Sequence, residues 1–320
     1  MLDVKRLILL RDLADYGTVT AVADLHQVTP SAVSQQLRAL EAETGAELLH
    51  REGRTVRLTA AGLALAAECE HVLAALERAG STVRAVSNEV SGELLVGCFP
   101  SGLEEIAAPL AATLSRTYPH LRPRIIESEP DEALTQLKRR ELDLAIVYRY
   151  HHLGTAIPAG LTSRVLFDEP IALAVPEKMR HAVDRQGVGA LRHHPWIITP
   201  EPSDCRDVLL HMCHSAGFSP RMDHSYRDLR SAIFLVATGL GATILPMMMC
   251  RNPPAGVAIL PFPGPGRAVE AVIRTGTDTN PAIIAATACL QQMTTSAAAS
   301  AENSVPQPDR QFSRPLEIDS

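Results

Sequence analysis

Residues 20–43, TAVADLHQVTPSAVSQQLRALEAE, sort from Pro30 onward onto two faces of one helix. Ser31, Ser34, Gln35 and Arg38 recur at i, i+3, i+4 and i+7, and at about 100° per residue they form one polar stripe. Val33, Leu37 and Leu40 form an apolar stripe roughly opposite. Thr29 is a good N-cap, and Pro30 at the first helical position gives up only an N–H that would be orphaned anyway. The stripe mixes hydroxyls, one amide and one guanidinium, groups that reach base edges and phosphates in a major groove. A merely solvated helix face more often carries Lys and Glu. The pattern predicts a DNA-reading helix-turn-helix over about residues 18–38.

The flanks support a compact N-terminal unit, residues 1–59. A first helix runs from about Asp3 to Tyr16 and stops at Gly17. Gly45 closes the recognition helix. Residues 48–59, LLHREGRTVRLT, read as a β-wing with Gly53 at its turn, which sets Arg51, Arg54, Thr55 and Arg57 where a wing straddles phosphates. Without the adjacent helix, the same arginines would suit an ordinary solvated hairpin. The unit holds seven Lys/Arg against eight Asp/Glu, and the chain carries a net charge of −6, so any DNA contact has to be local and its basic groups segregated.

A long helix follows, capped by Thr59 and running from Ala60 to about Ser87 within a linker of residues 60–90. Leu65, Cys69, Val72, Leu76, Ala79, Val83 and Val86 recur at alternating steps of four and three, a heptad seam that buries a narrow stripe against another helix. No second such helix follows nearby, so the expected partner is the same helix of a second copy: a homodimer. Gly80 leaves a soft spot costing about 1 kcal/mol relative to Ala.

Residues 91–293 alternate strand and helix. Leu94–Cys98, Leu103–Tyr118, Arg124–Glu129, Asp131–Arg140 and Leu142–Tyr148 read as βαβαβ, which implies a parallel sheet with right-handed crossovers. A second α/β segment runs from about Val165 to Pro265 and contains IALAVP, WIIT, a helix near Arg206–Ala216 and SAIFLVATGLGATILP. The pair AVEAVIRT and NPAIIAATACLQQM could return to the first lobe. That divides the region into lobe I (about 91–162 and 267–293) and lobe II (about 163–266), with a cleft between them at the strand ends. Residues 294–320 lack periodicity and are expected to be a disordered tail.

With 46% hydrophobic residues over 320, the chain has ample material for several cores. The apolar run near the N-terminus is too short and too acidic at its flanks for a secretory signal. Residues 231–250 are uncharged, but Gly239, Gly241 and Pro246 break them where a membrane helix would have to continue. Six scattered cysteines make no disulfide framework, and the expected location is the cytoplasm.

At this point the chain resembles the LysR-type transcriptional regulators over about residues 2–293. The resemblance rests on TPSAVSQQLRALEAETGAELLHREGRTVRLTAAG at 29–62, GELLVG at 92–97, ELDLAIV at 141–147, SAGFSP at 215–220 and VATGLGATILP at 236–246. It implies an α/β protein: a helix-rich winged helix-turn-helix, a long dimerising linker helix and a two-lobed effector domain like the periplasmic solute-binding proteins, often assembled as a tetramer. Its implied partners are double-stranded DNA, a small-molecule effector, further copies of itself and, for an activator, RNA polymerase. Membrane and cofactor are not expected. Base and phosphate contacts would fall on Thr29, Pro30, Ser31, Ser34, Gln35 and Arg38, and wing contacts on Arg51, Arg54, Thr55 and Arg57. The effector would lie near Phe99, Pro100 and Ser101, faced by Glu129, Tyr148, Thr199, Ser203 and Tyr226. Ser101 precedes a helix whose N-terminal N–H groups could hold a carboxylate, although each of these residues would serve equally as an ordinary loop cap. The chain departs from the family at His26, where an apolar residue is usual, and at Leu49, where Phe is common; both imply altered packing under the recognition helix.

Other chemistry is weaker. Cys205, His211, Cys213 and His214 form a Cys/His cluster, but the two cysteines lie about 12 Å apart along one predicted helix, too far for one zinc. Peroxide-sensing members of the family use a cysteine pair in this region, with a spacing one residue longer. A thiol sensor built on Cys205 and Cys213 would need a depressed pKa, with Arg206 as the nearby helper. An enzyme is not expected: no Gly-x-Ser-x-Gly elbow, phosphate-cradling glycine loop or His-Glu-x-x-His occurs. A transport solute-binding module would lack residues 1–59 and carry a signal peptide.

Overall fold

The computed structural model describes residues 1–302, apart from 53, 54, 87, 88, 152, 155, 202, 263 and 265 and the side chains of 51–55 and 295–302. Three helices open the chain: α1 (Val4–Tyr16), α2 (Val19–His26) and α3 (Pro30–Thr44). Local chemistry sets their ends. Asp3, Thr18 and Thr29 accept backbone N–H groups at the three N-caps, and Gly17 and Gly45 take left-handed backbone at the ends of α1 and α3. Strands β1 (Leu49–Glu52) and β2 (Thr55–Leu58) pair antiparallel as the wing. Leu7, Leu10, Val22, Val33, Leu37 and Leu40 close a core between the helices.

Beneath this core lies a buried polar cluster. Arg11 donates to Asp12 from Nε and Nη2 at 2.9 and 2.7 Å, and Asp12 meets His26 Nε2 at 2.6 Å. Asp12 is only 1% exposed. The family's usual apolar residue is thus replaced at His26 by a partner for a buried carboxylate, while Leu49 packs against the same core.

Helix α4 (Ala60–Val86) leaves the wing with Thr59 accepting from Gly62 N at 3.0 Å. A Cβ on Gly62 would stand 2.2 Å from the Leu48 carbonyl oxygen, so this close crossing needs glycine. The heptad seam is corrected here. Cys69 is fully buried and Leu65 half-buried against the chain's own α1–α3 core, together with Leu73 and Ala66. The part left outward is Val72, Leu76, Ala79, Val83 and Val86, all exposed. The heptad spacing spans both faces because the flank toward α1 is apolar too.

Lobe I is built on a five-stranded sheet in the order β4-β3-β5-β12-β6. Its strands are β3 (Gly92–Cys98), β4 (Leu121–Glu127), β5 (Leu144–Tyr150), β6 (Leu161–Glu169) and β12 (Arg267–Arg274). The first three are parallel, as expected of βαβαβ, and β12 runs antiparallel between β5 and β6. Helices α5 (Ala108–Thr117), α6 (Pro130–Lys138) and α10 (Pro281–Glu302) cover the sheet. Three expectations change. The helix from Leu103 begins as a π turn (Leu103–Ala107) and becomes α only at Ala108, because Pro109 lacks the N–H that would continue the ladder. The first crossing between lobes falls at Pro170 rather than near 162, since β6 pairs along β12 through Glu169. Helix α10 continues past Thr294 to Glu302, where an irregular tail was expected; the remaining tail lies outside the described residues.

Lobe II holds an antiparallel sheet β10-β7-β11, from β7 (Ile171–Pro176), β10 (Thr243–Pro246) and β11 (Val257–Pro261). A parallel pair, β8 (Pro195–Ile198) and β9 (Arg221–Ser225), joins it through a bridge from Trp196 to Ala242. Helices α7 (Arg180–Gln186), α8 (Asp204–Ser215) and α9 (Leu229–Ala237) complete the lobe. Residues 231–250 form the helix-turn-strand expected of them, and among the described residues no helix is long and apolar enough to cross a membrane.

The N-terminal unit and α4 rest on lobe I through ion pairs. Lys138 reaches Asp15 at 2.5 Å, and Glu77 of α4 takes both Arg140 and Arg274 at 3.1 Å. Glu77, Lys138, Arg140 and Arg274 border a polar crevice of about 410 Å³.

Candidate DNA-reading face and ligand cleft

Helix α3 presents the predicted stripe to solvent. Ser31, Gln35 and Arg38 are exposed and Ser34 half-exposed, while Val33, Leu37 and Leu40 are buried beneath. The Thr29 hydroxyl accepts from Ala32 N at 3.2 Å and lies 2.9 Å from the Ser31 hydroxyl. Ser34 donates to the Pro30 carbonyl at 2.9 Å. The helix start is therefore held by its own side chains, with Pro30 exposed at its first position. Gln35 and Arg38 make no hydrogen bond or ion pair to a described residue, which leaves both side chains available to an outside partner. On the wing, Arg57 is exposed and stands opposite His50. Arg54 and the side chains of Arg51 and Thr55 lie outside the described residues.

The second site is a cleft of about 850 Å³ between the lobes. Of the eight residues expected there, Pro100, Ser101, Glu129, Tyr148, Thr199, Ser203 and Tyr226 line it. Phe99 does not: it is fully buried under the floor, edge-on to Tyr148 with ring centroids 5.0 Å apart. The role expected of Ser101 also changes. No regular helix starts there, and its hydroxyl accepts from Arg267 Nη2 at 3.0 Å. Thr199 donates to Ser203 at 2.8 Å, so these two brace one loop of lobe II.

Arg267 is the residue that sequence reading missed. It is 2% exposed, lines the cleft, and pairs with Glu169 at 2.7–2.8 Å. Its guanidinium stacks over Tyr148 and Phe99, 4.3 and 5.0 Å from the ring centroids. Glu169 ends β6 just before the first crossing, and Arg267 begins β12 just after the second. The pair therefore clips the two interlobe strands together at the cleft floor.

Electrostatics at the cleft follow burial. Desolvation raises the Glu129 carboxyl above its usual range, opposed by the Tyr148 hydroxyl at 3.3 Å and by Arg267. Tyr148 and Tyr226 are also pushed up by burial. Both α8 cysteines follow the same rule: Cys213, in the lobe II core, is raised to about 12, and Cys205, which borders the cleft, is raised despite Arg267 nearby. The expected helper, Arg206, is turned to Glu201 at 3.0 Å. Among the described residues no group of three or more His, Cys, Asp or Glu is arranged to hold a metal ion.

A winged helix-turn-helix joined by a long helix to a two-lobed binding domain defines a ligand-responsive DNA-binding protein. Residues 4–63 match the bacterial regulatory helix-turn-helix proteins of the lysR family, and residues 87–295 match the LysR substrate binding domain. The chain belongs to the LysR family of transcriptional regulators. It is 28% identical over 267 residues to a probable hydrogen peroxide-inducible genes activator of Mycobacterium avium, covering 81% of this chain and 82% of that protein. It is 27% identical over 256 residues to the transcriptional dual regulator GltC of Bacillus subtilis, covering 77% and 81%. Among solved structures, full-length OxyR from Pseudomonas aeruginosa shares the fold with a TM-score of 0.57 at 22% identity, over 91% of this chain and 95% of that one. CbnR complexed with its target DNA matches with a TM-score of 0.52 at 20% identity, over 92% and 100%.

Proposed function

We propose that two copies of this regulator, coupled through the outward stripe of α4, set their α3 helices into major grooves about one helical turn (about 34 Å) apart. Gln35 and Arg38 read base edges, Thr29, Ser31 and Ser34 fix the helix on the backbone, and the wing arginines Arg51, Arg54 and Arg57, with Thr55, neutralise phosphates. A small molecule held between the lobes biases how the copies are spaced, provided that it binds the two arrangements unequally. Such a protein works in the cytoplasm, on DNA, and performs no catalysis. The observation that carries this reading is the exposed, uncommitted face of α3 above a fully packed apolar one.

The test is footprinting of the full-length protein on its bound genomic sites, with and without small-molecule extract of the cell. Two protected half-sites whose spacing or extent changes with extract are expected. One uninterrupted footprint insensitive to extract would contradict the reading.

A thiol-sensing variant of the same function draws on the peroxide-responsive relatives and on Cys205 at the cleft. Burial opposes it, because it keeps both α8 thiols protonated where a sensor needs a thiolate. Free-thiol titration of the native protein after peroxide treatment decides: an unchanged count is expected, and loss of two thiols would establish the thiol mechanism.

A further inference from the structure

The cleft is unevenly charged. Arg230 and Arg251 are taken up by Glu104 and Glu105, Glu201 is held by Arg206, and Asp228 caps α9. Glu127 at the end of β4, Glu129 in the connection and Asp131 in the first turn of α6 line the cavity without an ion pair to any described residue. Against these three carboxylates the lining sets one exposed arginine with no such partner, Arg227.

Two polar groups at the same cleft keep hydrogen-bonding capacity in reserve, one nitrogen of Arg267 and the buried Tyr226 hydroxyl. Arg267 uses Nε and Nη2 on Glu169 and Ser101, and its Nη1 donates to no described residue. Tyr226 is 5% exposed, and its hydroxyl makes no well-formed hydrogen bond although the Thr243 hydroxyl and the Cys205 thiol are close. Buried donors without acceptors are uncommon in a finished fold and mark places where an outside polar group completes the set. Glu129 and Arg267 both border Tyr148, one at its hydroxyl and one over its ring, so one small molecule can touch both.

We propose that the effector carries a protonated amine, received by Glu129 with Glu127 and Asp131 beside it, on a small scaffold whose carboxylate meets Arg267 Nη1 next to Ser101. It is an amino acid or a close relative of one. A simple carboxylic acid would satisfy Arg267 but enter a cavity bordered by three unpaired carboxylates. A simple amine would find the carboxylates but could not accept from the Arg267 Nη1. A molecule with both charges answers each end. A cation beside Glu129 favours its ionised form and so counters the upward shift that burial imposes. A cleft of about 850 Å³ is within the range of small-molecule sites.

This inference rests on the interlobe cleft being the effector site, and the experiment separates the two. Full-length protein is titrated calorimetrically with each standard amino acid, with the matching decarboxylated amine and with the matching deaminated acid. One or more amino acids should bind, with the deaminated acid weaker by about tenfold or more, as expected for the loss of a charge-assisted hydrogen bond. Glu129→Gln should weaken the amino acid by a similar factor without weakening the deaminated acid alongside it. Equal or tighter binding of the deaminated acid, an E129Q loss shared by both, or no binding by any member of the panel overturns the inference. If the panel fails while cell extract still changes the footprint, only the amphoteric assignment falls. If extract also does nothing, the effector reading falls with it.

Discussion

Removing the carboxylate of Glu169 tests the hinge at the cleft floor. In Glu169→Ala, Arg267 loses its ion pair of 2.7–2.8 Å, and the Met248 amide loses its acceptor at 2.9 Å. The guanidinium, 2% exposed, is left with the Ser101 hydroxyl and two aromatic faces. Stripping one partner from a buried pair costs about 3–5 kcal/mol, because the remaining charge stays out of water. Against a typical domain stability of about 5–15 kcal/mol, that is a large fraction. The chain's single tryptophan, Trp196, is fully buried in lobe II, so urea unfolding can be followed by its fluorescence. The unfolding free energy should drop by about 3–5 kcal/mol, and the double variant E169M/R267M, which removes both charges and keeps the bulk, should recover most of it. A loss below about 1 kcal/mol in E169A, or a double variant worse than the single, would refute the assignment of this pair as a buried clip.

Further consequences can be measured separately. Asp12→Ala removes the nearer of the two carboxylates at buried Arg11, leaving Glu70 at 3.8 Å, and strips His26 of its partner; it should cost about 3 kcal/mol in the N-terminal unit, read by thermal unfolding of its helical signal. Val83→Asp places a charge on the outward stripe of α4, at a residue 73% exposed in the single chain; light scattering should report monomers where the native protein gives dimers or larger. Affinity for an amine-bearing ligand should fall as pH is lowered through the pKa of Glu129, which burial, Glu127 and Glu132 hold above 4.5 and Tyr148 and Arg267 pull down. The ligand's cation prefers the ionised carboxylate, so calorimetric affinity that rises on acidification would contradict that contact.

What the sequence made legible was mainly local. Thr29–Pro30, Gly45 and Thr59 declare helix ends through bonds made within a few residues, and each is found at its cap. The polar stripe of α3 follows from periodicity alone. The seam on α4 was over-extended because spacing by threes and fours does not tell an apolar face packed on the chain's own α1 from one directed outward; Cys69 and Val72, three residues apart, go opposite ways. Most of the cleft residues were named through the family resemblance, which puts the ligand between the lobes; periodicity alone gave only a cleft at the strand ends. Arg267 escaped because its meaning depends on Glu169, 98 residues away, and only the register of β12 on β6 brings them together. The same holds for His26, whose departure from the family pattern was visible while its buried partner Asp12 was not.

The central claim is that the outward face of α3 reads sequence in the major groove. The most direct measurement is the affinity of the S34A/Q35A/R38A variant for a footprinted genomic site and for random duplex at one fixed salt concentration, with circular dichroism as the check on folding. Each lost base contact is worth about 1–3 kcal/mol, so the variant's affinity for its site should collapse to that for random DNA while the spectrum stays native. Retention of the native preference for the site by a folded variant would contradict the account.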